Sequence, residues 1–309
     1  MVPPPVEGPP LVVICGPTAV GKTAVSVILA QRIGGEIIAA DSRTIYRFMD
    51  IGTAKPTPEQ RRAVPHHLLD IANPDEVITL AVYRRMAAEA MAAVRGRGRV
   101  PMLVGGTGLY VRAVADGFAI PEVPPDAKLR DRLEEHERSA PGALHARLAT
   151  VDPLAAARIH PRNTRRVIRA LEVYEHTGRP ISTLQRREDP VGPATRIGLT
   201  MDRDALYRRI DERVDEQIEG GLIDEVKALL NRKYARTLPA LQGLGYKEFI
   251  EYVDGASSLE EATRRLQRNT RRFAKRQYTW FRRDSRIRWI DVDELPPEAV
   301  AARIHAVIE

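Results

Sequence analysis

The chain has 309 residues, of which 43% are hydrophobic, and this ordinary composition predicts a soluble globular protein with a large core domain or with a core domain and a smaller one. Cys15 is the single cysteine, which excludes an internal disulfide framework and favours a reducing compartment, so we expect a cytoplasmic protein. No apolar run approaches the roughly 20 residues of a membrane span, and the stretch MVPPPVEGPP predicts a disordered tail rather than a signal peptide. The net charge of +7 suggests an anionic partner.

The first predicted element is a buried strand over Leu11–Cys15, because this apolar run is too short for a helix and is followed by Gly-Pro. The next residues match the pattern G-x-x-x-x-G-K-[ST] in full, and helical spacing then continues to a stop at Gly34-Gly35. Strand, loop and helix in this order predict a phosphate-binding loop. The loop consists of Gly16, Pro17, Thr18, Ala19, Val20, Gly21, Lys22 and Thr23.

The residue types of this loop suit a polyphosphate. Gly16 and Gly21 allow the backbone to curl so that its N–H groups face an anion, and the N-terminus of the following helix adds partial positive charge. Lys22 supplies a point charge for the outer phosphate, and the Thr23 hydroxyl is placed to ligate Mg²⁺. The motif leaves open which polyphosphate is bound.

A second strand, predicted over 36–40, delivers Asp41 to the end of the sheet where open α/β proteins hold their ligands. An Asp at this position is usually a Mg²⁺ ligand or a base, and a turn or helix cap is the alternative. Four prolines predict loops over 42–78. His66 and His67 are adjacent without metal-ligand spacing, so we interpret them as structural or hydrogen-bonding residues.

A helix is predicted over 79–95, and a third strand over 100–104 is followed by the turn GGTGLY. A typical P-loop NTPase ends this strand with a carboxylate that helps to hold Mg²⁺, whereas this turn offers bare backbone N–H groups and the hydroxyl of Thr107. The turn therefore argues against an ordinary NTPase and suits a phosphate, or an oxygen that leaves with one.

Prolines near 121–125 mark a domain boundary, and the strongly charged stretch 126–176 reads as almost wholly helical. We interpret 122–192 as a helical insertion in a core domain formed by 1–121 and 193–309. Within the insertion, arginines recur at spacings of three and four with little local acid, which indicates either a solvated face or a nucleic-acid contact. These are Arg162, Arg165, Arg166 and Arg169.

The chain returns to the sheet with a strand over 195–201, followed by one or two helices over 204–232 and a last strand over 286–290. A long helix over 259–283 interleaves arginines with aromatic residues, a combination that fits RNA phosphate contacts with base stacking or, alternatively, aromatics in the core and arginines in water. The role of 241–248 is not evident from composition. The predicted fold is α/β, a parallel sheet of the P-loop NTPase type flanked by helices, with a helical insertion.

Seven motifs together resemble those of the tRNA dimethylallyltransferases, in order from about residue 11 to residue 290. They are GPTAVGKT, DSRTIY with DIGTAKP, HHLLDI, GGTGLY, HPRNTRRVIRALEVY, LQGLGYKE and AKRQYTWFR. The resemblance implies transfer of a dimethylallyl group from dimethylallyl diphosphate to N6 of the adenosine just 3′ of the tRNA anticodon. It also implies that the loop holds a leaving diphosphate and that no phosphoryl group moves, which fits the missing carboxylate.

The resemblance implies roles for individual residues. Asp41 is the expected general base, Thr107 assists near the transferring carbon, and Lys22, Thr23, Mg²⁺ and Arg213 stabilise the departing diphosphate. The positions that match tRNA contacts of the family are Asp41, Ser42, Arg43, Thr44, Thr107, Arg130, Arg165, Arg166, Val167, Ile168 and Arg169. Many members carry Gln at the position of Thr44, which weakens the inference that this residue contacts the target base.

Three other functions compete with tRNA prenylation. A P-loop small-molecule kinase would turn over ATP, an RNA-binding protein without chemistry would tolerate the loss of Asp41, and an enzyme that prenylates free adenine nucleotides would not need the insertion or the arginine-rich helix. We expect the partners to be a tRNA anticodon stem-loop and dimethylallyl diphosphate, and the chain to be a monomer without membrane contact.

Overall fold

A computed structural model describes residues 8–118, 121–185 and 192–309, so most of the predicted N-terminal tail lies outside the described residues. In this part of the chain, one sheet contains strands in the order β3-β2-β4-β1-β5-β6, and every pairing is parallel. The predicted parallel α/β fold is confirmed. The strands are β1 (Leu11–Cys15), β2 (Gly35–Ala39), β3 (His66–His67), β4 (Val100–Gly105), β5 (Ala194–Thr200) and β6 (Arg288–Asp291).

The described residues divide into two compact units, and the larger one, residues 8–78, 83–115 and 192–309, contains the sheet. None of the described helices is both long enough and apolar enough to cross a bilayer. The helices of this unit are α1 (Lys22–Ile33), α2 (Pro58–Ala63), α3 (Leu80–Gly96), α4 (Gly108–Ala115), α10 (Arg203–Glu219), α11 (Leu222–Asn231), α12 (Tyr246–Val253), α13 (Leu259–Phe281) and α14 (Pro297–Ile308), with the first turn of α3 assigned to the other unit.

The sheet brings three separate loops to one edge. Strand β1 lies between β4 and β5, with Cys15 level with Gly105 and with Gly198. Because all strands are parallel, the loops that follow β1, β2 and β4 leave from the same edge of the sheet. The phosphate loop, Asp41 and Thr107 are therefore neighbours, although they are far apart in sequence.

Apolar side chains of the sheet pack against helices α1 and α14 to form a core. Val12 and Ile14 of β1, Leu29 of α1 and Ile304 of α14 have no accessible surface. A fully buried aliphatic side chain contributes about 1.5–3 kcal/mol relative to an exposed one, so this layer anchors the edge that carries the loops. Cys15, the last residue of β1, is also fully buried, and burial raises the pKa of its thiol to about 12, which fits a small buried hydrophobe.

The second unit, residues 79–82, 116–118 and 121–185, is helical and has its own core. Leu133, Leu148 and Leu171 are buried at its centre, together with the carboxylate of Glu172. Its helices are α5 (Ala127–Ser139), α6 (Ala143–Val151), α7 (Pro153–Arg158), α8 (Thr164–Thr177) and α9 (Ile181–Leu184).

Local side chains and a glycine set several helix ends of this unit. The side chains of Asp126 and Asp152 accept hydrogen bonds from the backbone at the N-termini of α5 and α7. Asn163 precedes α8 without a side-chain cap, and Gly178 ends that helix in the left-handed conformation.

The stretch predicted as loops contains two short elements. Thr57 and Gln60 form a capping box around Pro58, which starts helix α2. His66 and His67 extend the sheet as the edge strand β3, paired with β2. Two residues are too few to give a periodic pattern, and their pairing depends on β2 lying alongside.

Candidate active site

The phosphate loop has the backbone shape that its glycines suggested. Gly16 has a φ of 146°, and a Cβ there would lie 2.7 Å from the carbonyl oxygen of Leu199 in β5. Gly21 has a φ of 95° and immediately precedes helix α1. Other residues would be strained at both positions, so these glycines allow the loop to close over the helix N-terminus.

Lys22 is the first residue of α1, and its ammonium group folds back over the loop. Its Nζ donates to the carbonyl oxygen of Pro17 at 2.6 Å and to that of Gly16 at 3.1 Å. Burial lowers the pKa of Lys22 to about 8, while Asp41 raises this pKa and Arg213 lowers it further. An anion bound in the loop would favour the charged form of Lys22.

Two side chains from distant helices join the loop at Thr18. Arg213 of α10 donates from Nη1 to the Thr18 hydroxyl at 3.3 Å. Gln277 of α13 accepts from the Thr18 backbone N–H at 2.8 Å and donates to the Gly106 carbonyl at 3.0 Å. Burial lowers the pKa of Arg213, although a guanidinium remains charged in this environment. The two hydrogen bonds of Gln277 link the phosphate loop to the turn after β4.

Sequence reasoning did not identify Gln277 as a site residue. Its side chain is buried between Ala274 and Phe281, on the apolar face of α13. A polar residue on the buried face of an amphipathic helix needs partners, so its position was a signal that could have been used.

Asp41 and Thr107 lie where β2 and β4 end. Asp41 accepts from the Arg43 backbone N–H through Oδ1 at 2.8 Å, so one oxygen holds the turn as the cap interpretation predicted. Its Oδ2 has no hydrogen bond with any described residue. The Thr107 hydroxyl accepts from the Ser42 N–H at 3.0 Å, and the Thr107 N–H donates to the Ala40 carbonyl at 3.1 Å. One Asp41 oxygen is thus free for chemistry beside a fixed hydroxyl.

Gly105, the last residue of β4, permits this close approach of the two strand ends. A side chain there would overlap the backbone of Ala40, which follows β2. The hydrogen bond from the Thr107 N–H to the Ala40 carbonyl therefore depends on a glycine at position 105.

Two cavities meet at this cluster. Cavity A, of about 460 Å³, contains Lys22 and Thr23, and cavity B, of about 470 Å³, contains Ser42, Thr107 and Trp280. Side chains shared by both cavities mark the junction between them. The junction consists of Thr18, Ala19, Asp41, Thr53, Arg213, Phe273 and Gln277.

A carboxylate of α11 holds the loop that lines both cavities at Thr53. Glu225 accepts from the backbone N–H groups of Asp50, Ile51 and Gly52 at 2.7–3.1 Å, and also from the Tyr246 hydroxyl at 2.6 Å. We call these contacts the Glu225–Tyr246 clamp. Tyr246 comes from 241–248, so part of this segment's role is to hold the loop.

Lys55 secures the same loop from within. Its Nζ is buried and donates to the carboxylates of Asp50 and Asp70 and to the Tyr46 carbonyl at 2.5–2.6 Å. With two carboxylate partners, the charge of Lys55 is compensated within the protein.

The two adjacent histidines have different surroundings. His67 contacts the Glu36 carboxylate at 2.7 Å, and His66 contacts the Val64 carbonyl at 2.8 Å. Burial lowers the pKa of His66, whose ring lines cavity A. Within the described residues, no set of three His, Cys, Asp or Glu side chains could hold a metal ion.

The candidate RNA contacts of α8 differ in accessibility. Arg165 and Arg166 are exposed, whereas Val167 and Ile168 pack in the core of the helical unit. Arg169 and Arg130 both donate to the buried Glu172, whose pKa they hold at about 2. The expectation of little local acid is therefore wrong for Arg169, because Glu172 lies one turn further along the same helix.

The remaining candidates divide between the cavities. Arg43 lines cavity B and donates to the Pro239 carbonyl at 2.7 Å. Thr44 is buried and lines cavity A, with its hydroxyl 3.4 Å from the Asp41 carbonyl.

Fold and site together define an α/β protein with a phosphate loop at the junction of two cavities. The family model described as IPP transferase matches residues 44–284, and the chain belongs to this family. The tRNA dimethylallyltransferase of Pelotomaculum thermopropionicum is 52% identical over 298 residues, which cover 96% of this chain and 95% of that protein. That of Symbiobacterium thermophilum is 53% identical over 286 residues, which cover 92% and 89%.

Solved structures give the same result. The full-length tRNA isopentenylpyrophosphate transferase from Bacillus halodurans matches with a TM-score of 0.72 and 47% identity, over 97% of this chain and 95% of that one. A eukaryotic dimethylallyltransferase described as acting on tRNA matches with a TM-score of 0.81 and 28% identity, over 97% and 78%.

Proposed function

We propose that this protein transfers a dimethylallyl group from dimethylallyl diphosphate to N6 of the adenosine just 3′ of the anticodon in tRNA. The observation that carries the proposal is the meeting of two cavities at Asp41 and Arg213, one lined by the phosphate loop and one by Thr107 and Trp280. Two substrates entering from the two sides would meet at this junction. Membership of the IPP transferase family and relatives named tRNA dimethylallyltransferases support the same reaction.

In this proposal, cavity A holds the diphosphate. The loop N–H groups, Lys22 and Arg213 face the charge that develops as the carbon–oxygen bond breaks, and preorganised charge of this kind is a strong catalytic contribution. The Thr23 hydroxyl lines the same cavity and would hold Mg²⁺ together with diphosphate oxygens, a donor set typical of this ion. When bound, Mg²⁺ neutralises part of the charge of the leaving diphosphate.

Cavity B receives the adenine in this proposal. The N6 nitrogen forms a bond to the allylic carbon, the diphosphate leaves with the electron pair of the broken bond, and the Asp41 carboxylate takes the N6 proton. The fixed Thr107 hydroxyl lies beside Asp41 and faces the same cavity, where it can contact the reacting atoms.

The tRNA must present an unstacked base to reach Asp41. Extrusion of a base costs a few kcal/mol, and stacking against an aromatic side chain such as Trp280 or Phe273 in cavity B offsets part of this cost. Cations outside the cavities supply phosphate contacts. The exposed candidates are Arg165 and Arg166 of α8 and Arg268, Arg272 and Lys275 of α13.

Incubation of the protein with unmodified tRNA, dimethylallyl diphosphate and Mg²⁺, followed by mass spectrometry of the nucleosides, tests the proposal. We expect N6-(dimethylallyl)adenosine and an equal amount of diphosphate, with no product when the prenyl donor is omitted. ATP consumption with ADP release and no prenylated adenosine would support a kinase instead.

A further inference from the structure

One face of helix α10 extends from cavity A, past the junction, to cavity B. Arg209 lines cavity A alone, Arg213 lines both cavities and Gln217 lines cavity B alone. These residues are four positions apart, so they follow one another along the same side of the helix. The helix therefore places one cation, Arg213, at the junction and a second cation, Arg209, one turn away in cavity A.

Arg209 differs from the other Lys and Arg side chains that line cavity A, because Lys22, Lys55 and Arg213 all have hydrogen-bond partners. Arg213 donates to Thr18, and Arg271 is paired with Asp211. Across residues 8–118, 121–185 and 192–309, Arg209 forms no hydrogen bond or ion pair, even though Glu212 lies at the spacing that favours one. Its exposed guanidinium thus remains available to a ligand of cavity A.

The ligand of cavity A must also tolerate negative charge. Glu212 and Glu216 line the cavity beside Arg209, opposite in sign to Lys22 and Arg213. A bound diphosphate would be repelled by these two carboxylates. A cation beside them reduces this repulsion and so strengthens diphosphate binding. A planar guanidinium suits this role because it can donate two parallel hydrogen bonds to phosphate oxygens.

We propose that Arg209 binds the terminal phosphate of the prenyl diphosphate, and this proposal rests on the proposed function. Arg213 lies at the junction, beside the oxygen that departs from the allylic carbon. Arg209 lies about 6 Å further along the helix axis, on the side away from the transferring carbon. The terminal phosphate extends in that direction when its neighbour occupies the junction.

The proposal predicts a division of roles between the two arginines. The terminal phosphate does not change its bonds during transfer, so a contact with it stabilises the bound substrate and the transition state equally. Loss of Arg209 should therefore raise KM for dimethylallyl diphosphate and leave kcat nearly unchanged, whereas loss of Arg213 should lower kcat.

Titration calorimetry with inorganic diphosphate and Mg²⁺ tests the assignment without requiring catalysis. We expect Arg209→Ala to weaken binding by about 10-fold, the effect of one charge-assisted hydrogen-bonded contact, and Arg209→Lys to restore part of the affinity. Arg208→Ala is the matched control, since Arg208 is an exposed neighbour on the same helix that lines neither cavity. We expect that control to bind diphosphate as the wild type does.

Equal diphosphate affinity in Arg209→Ala and Arg208→Ala would overturn the assignment, and so would a fall in kcat without a rise in KM. Failure of the proposed function is distinguishable, because the wild type would then bind diphosphate without forming prenylated adenosine. Circular dichroism and thermal unfolding of each variant establish that helix α10 is intact.

Discussion

Asp41 combines two functions in one carboxylate at the end of β2. Oδ1 holds the turn through the Arg43 N–H, while Oδ2 of this junction residue has no hydrogen-bond partner among the described residues. The sequence raised three alternatives for Asp41. A turn cap uses Oδ1, whereas a base or a metal ligand uses the unpartnered Oδ2. Replacement of the carboxylate by an amide of the same size separates them.

We expect Asp41→Asn to slow single-turnover prenyl transfer by about 10²–10⁴-fold, the usual contribution of a positioned general base. The amide oxygen can still accept from the Arg43 N–H, but the side chain cannot take a proton from N6. The measurement uses saturating tRNA, prenyl diphosphate and Mg²⁺. A rate within about threefold of the wild type would exclude the general base, and rescue by additional Mg²⁺ would indicate a metal ligand instead.

Lys22 should make diphosphate binding depend on pH. Burial lowers the pKa of Lys22 to about 8 in the free protein, so the ammonium is charged below this pH and loses its proton above it. Because the anion binds the charged form, affinity for inorganic diphosphate should fall as the pH rises above about 8. Calorimetry between about pH 7 and about pH 9.5 measures this dependence on both sides of the Lys22 pKa.

Lys22→Ala is the comparison for that series. The variant should bind diphosphate weakly and turn over poorly at every pH, with a smaller fall in affinity above about pH 8. Ionisation of diphosphate itself is common to both proteins and cancels in the comparison. Parallel pH profiles would contradict the role of the Lys22 ammonium.

At the scale of elements, the Glu225–Tyr246 clamp connects α11 and α12 to the loop at 50–53. The carboxylate accepts three backbone N–H groups and one hydroxyl, so one side chain replaces the regular hydrogen bonding that this loop lacks. Gly52 contacts the Tyr246 ring so closely that a Cβ there would lie 2.6 Å from it. The loop is held from two sides.

Glu225→Ala should lower the free energy of unfolding by at least about 2 kcal/mol, because it leaves several partly buried donors without an acceptor. Tyr246→Phe removes one hydrogen bond and should cost about 1 kcal/mol. Urea denaturation measures both. Asp224→Ala is the control, since Asp224 is 83% exposed in a surface pair with Lys227 and should change stability by less than about 0.5 kcal/mol. Equal effects at positions 224 and 225 would contradict the clamp.

At the scale of the whole molecule, the net charge of +7 is not spread evenly over accessible side chains. Arg130 and Arg169 share the single carboxylate of Glu172, and Arg271 pairs with Asp211, whereas Arg165 and Arg166 are exposed on α8. Long-range attraction of RNA depends mainly on Arg165 and Arg166, because two protein carboxylates already compensate most of the charge of Arg130, Arg169 and Arg271.

RNA affinity should therefore fall steeply with salt, and the Arg165→Ala/Arg166→Ala double variant should show a shallower slope. Removing one phosphate interaction with a single strand should reduce the slope of log K against log salt by roughly 0.7. Fluorescence anisotropy with a labelled anticodon stem-loop at several salt concentrations provides the slopes. Arg138→Ala is the control, because Arg138 pairs with Glu135 on the surface of the same unit. An unchanged slope in the double variant would indicate a solvated face.

Local sequence determined those parts of the fold whose causes lie within a few residues. The strand Leu11–Cys15 and the loop after it follow from an apolar run, two glycines and a helix start, and they occur where the sequence predicts them. The stop at Gly178 is equally local, since a left-handed residue ends the helix. The motifs also indicated the family, because each motif lies within one short segment of the sequence.

Tertiary structure alone decided which of these segments meet. Gln277 reaches Thr18 across 259 positions of sequence, and Arg213 reaches the same residue across 195. The Glu225–Tyr246 clamp and the pairing of Arg169 with a buried Glu172 likewise depend on how helices pack. Periodicity shows that a side chain faces inward, but only the packed neighbours determine whether it meets a phosphate loop, a carboxylate or the apolar core.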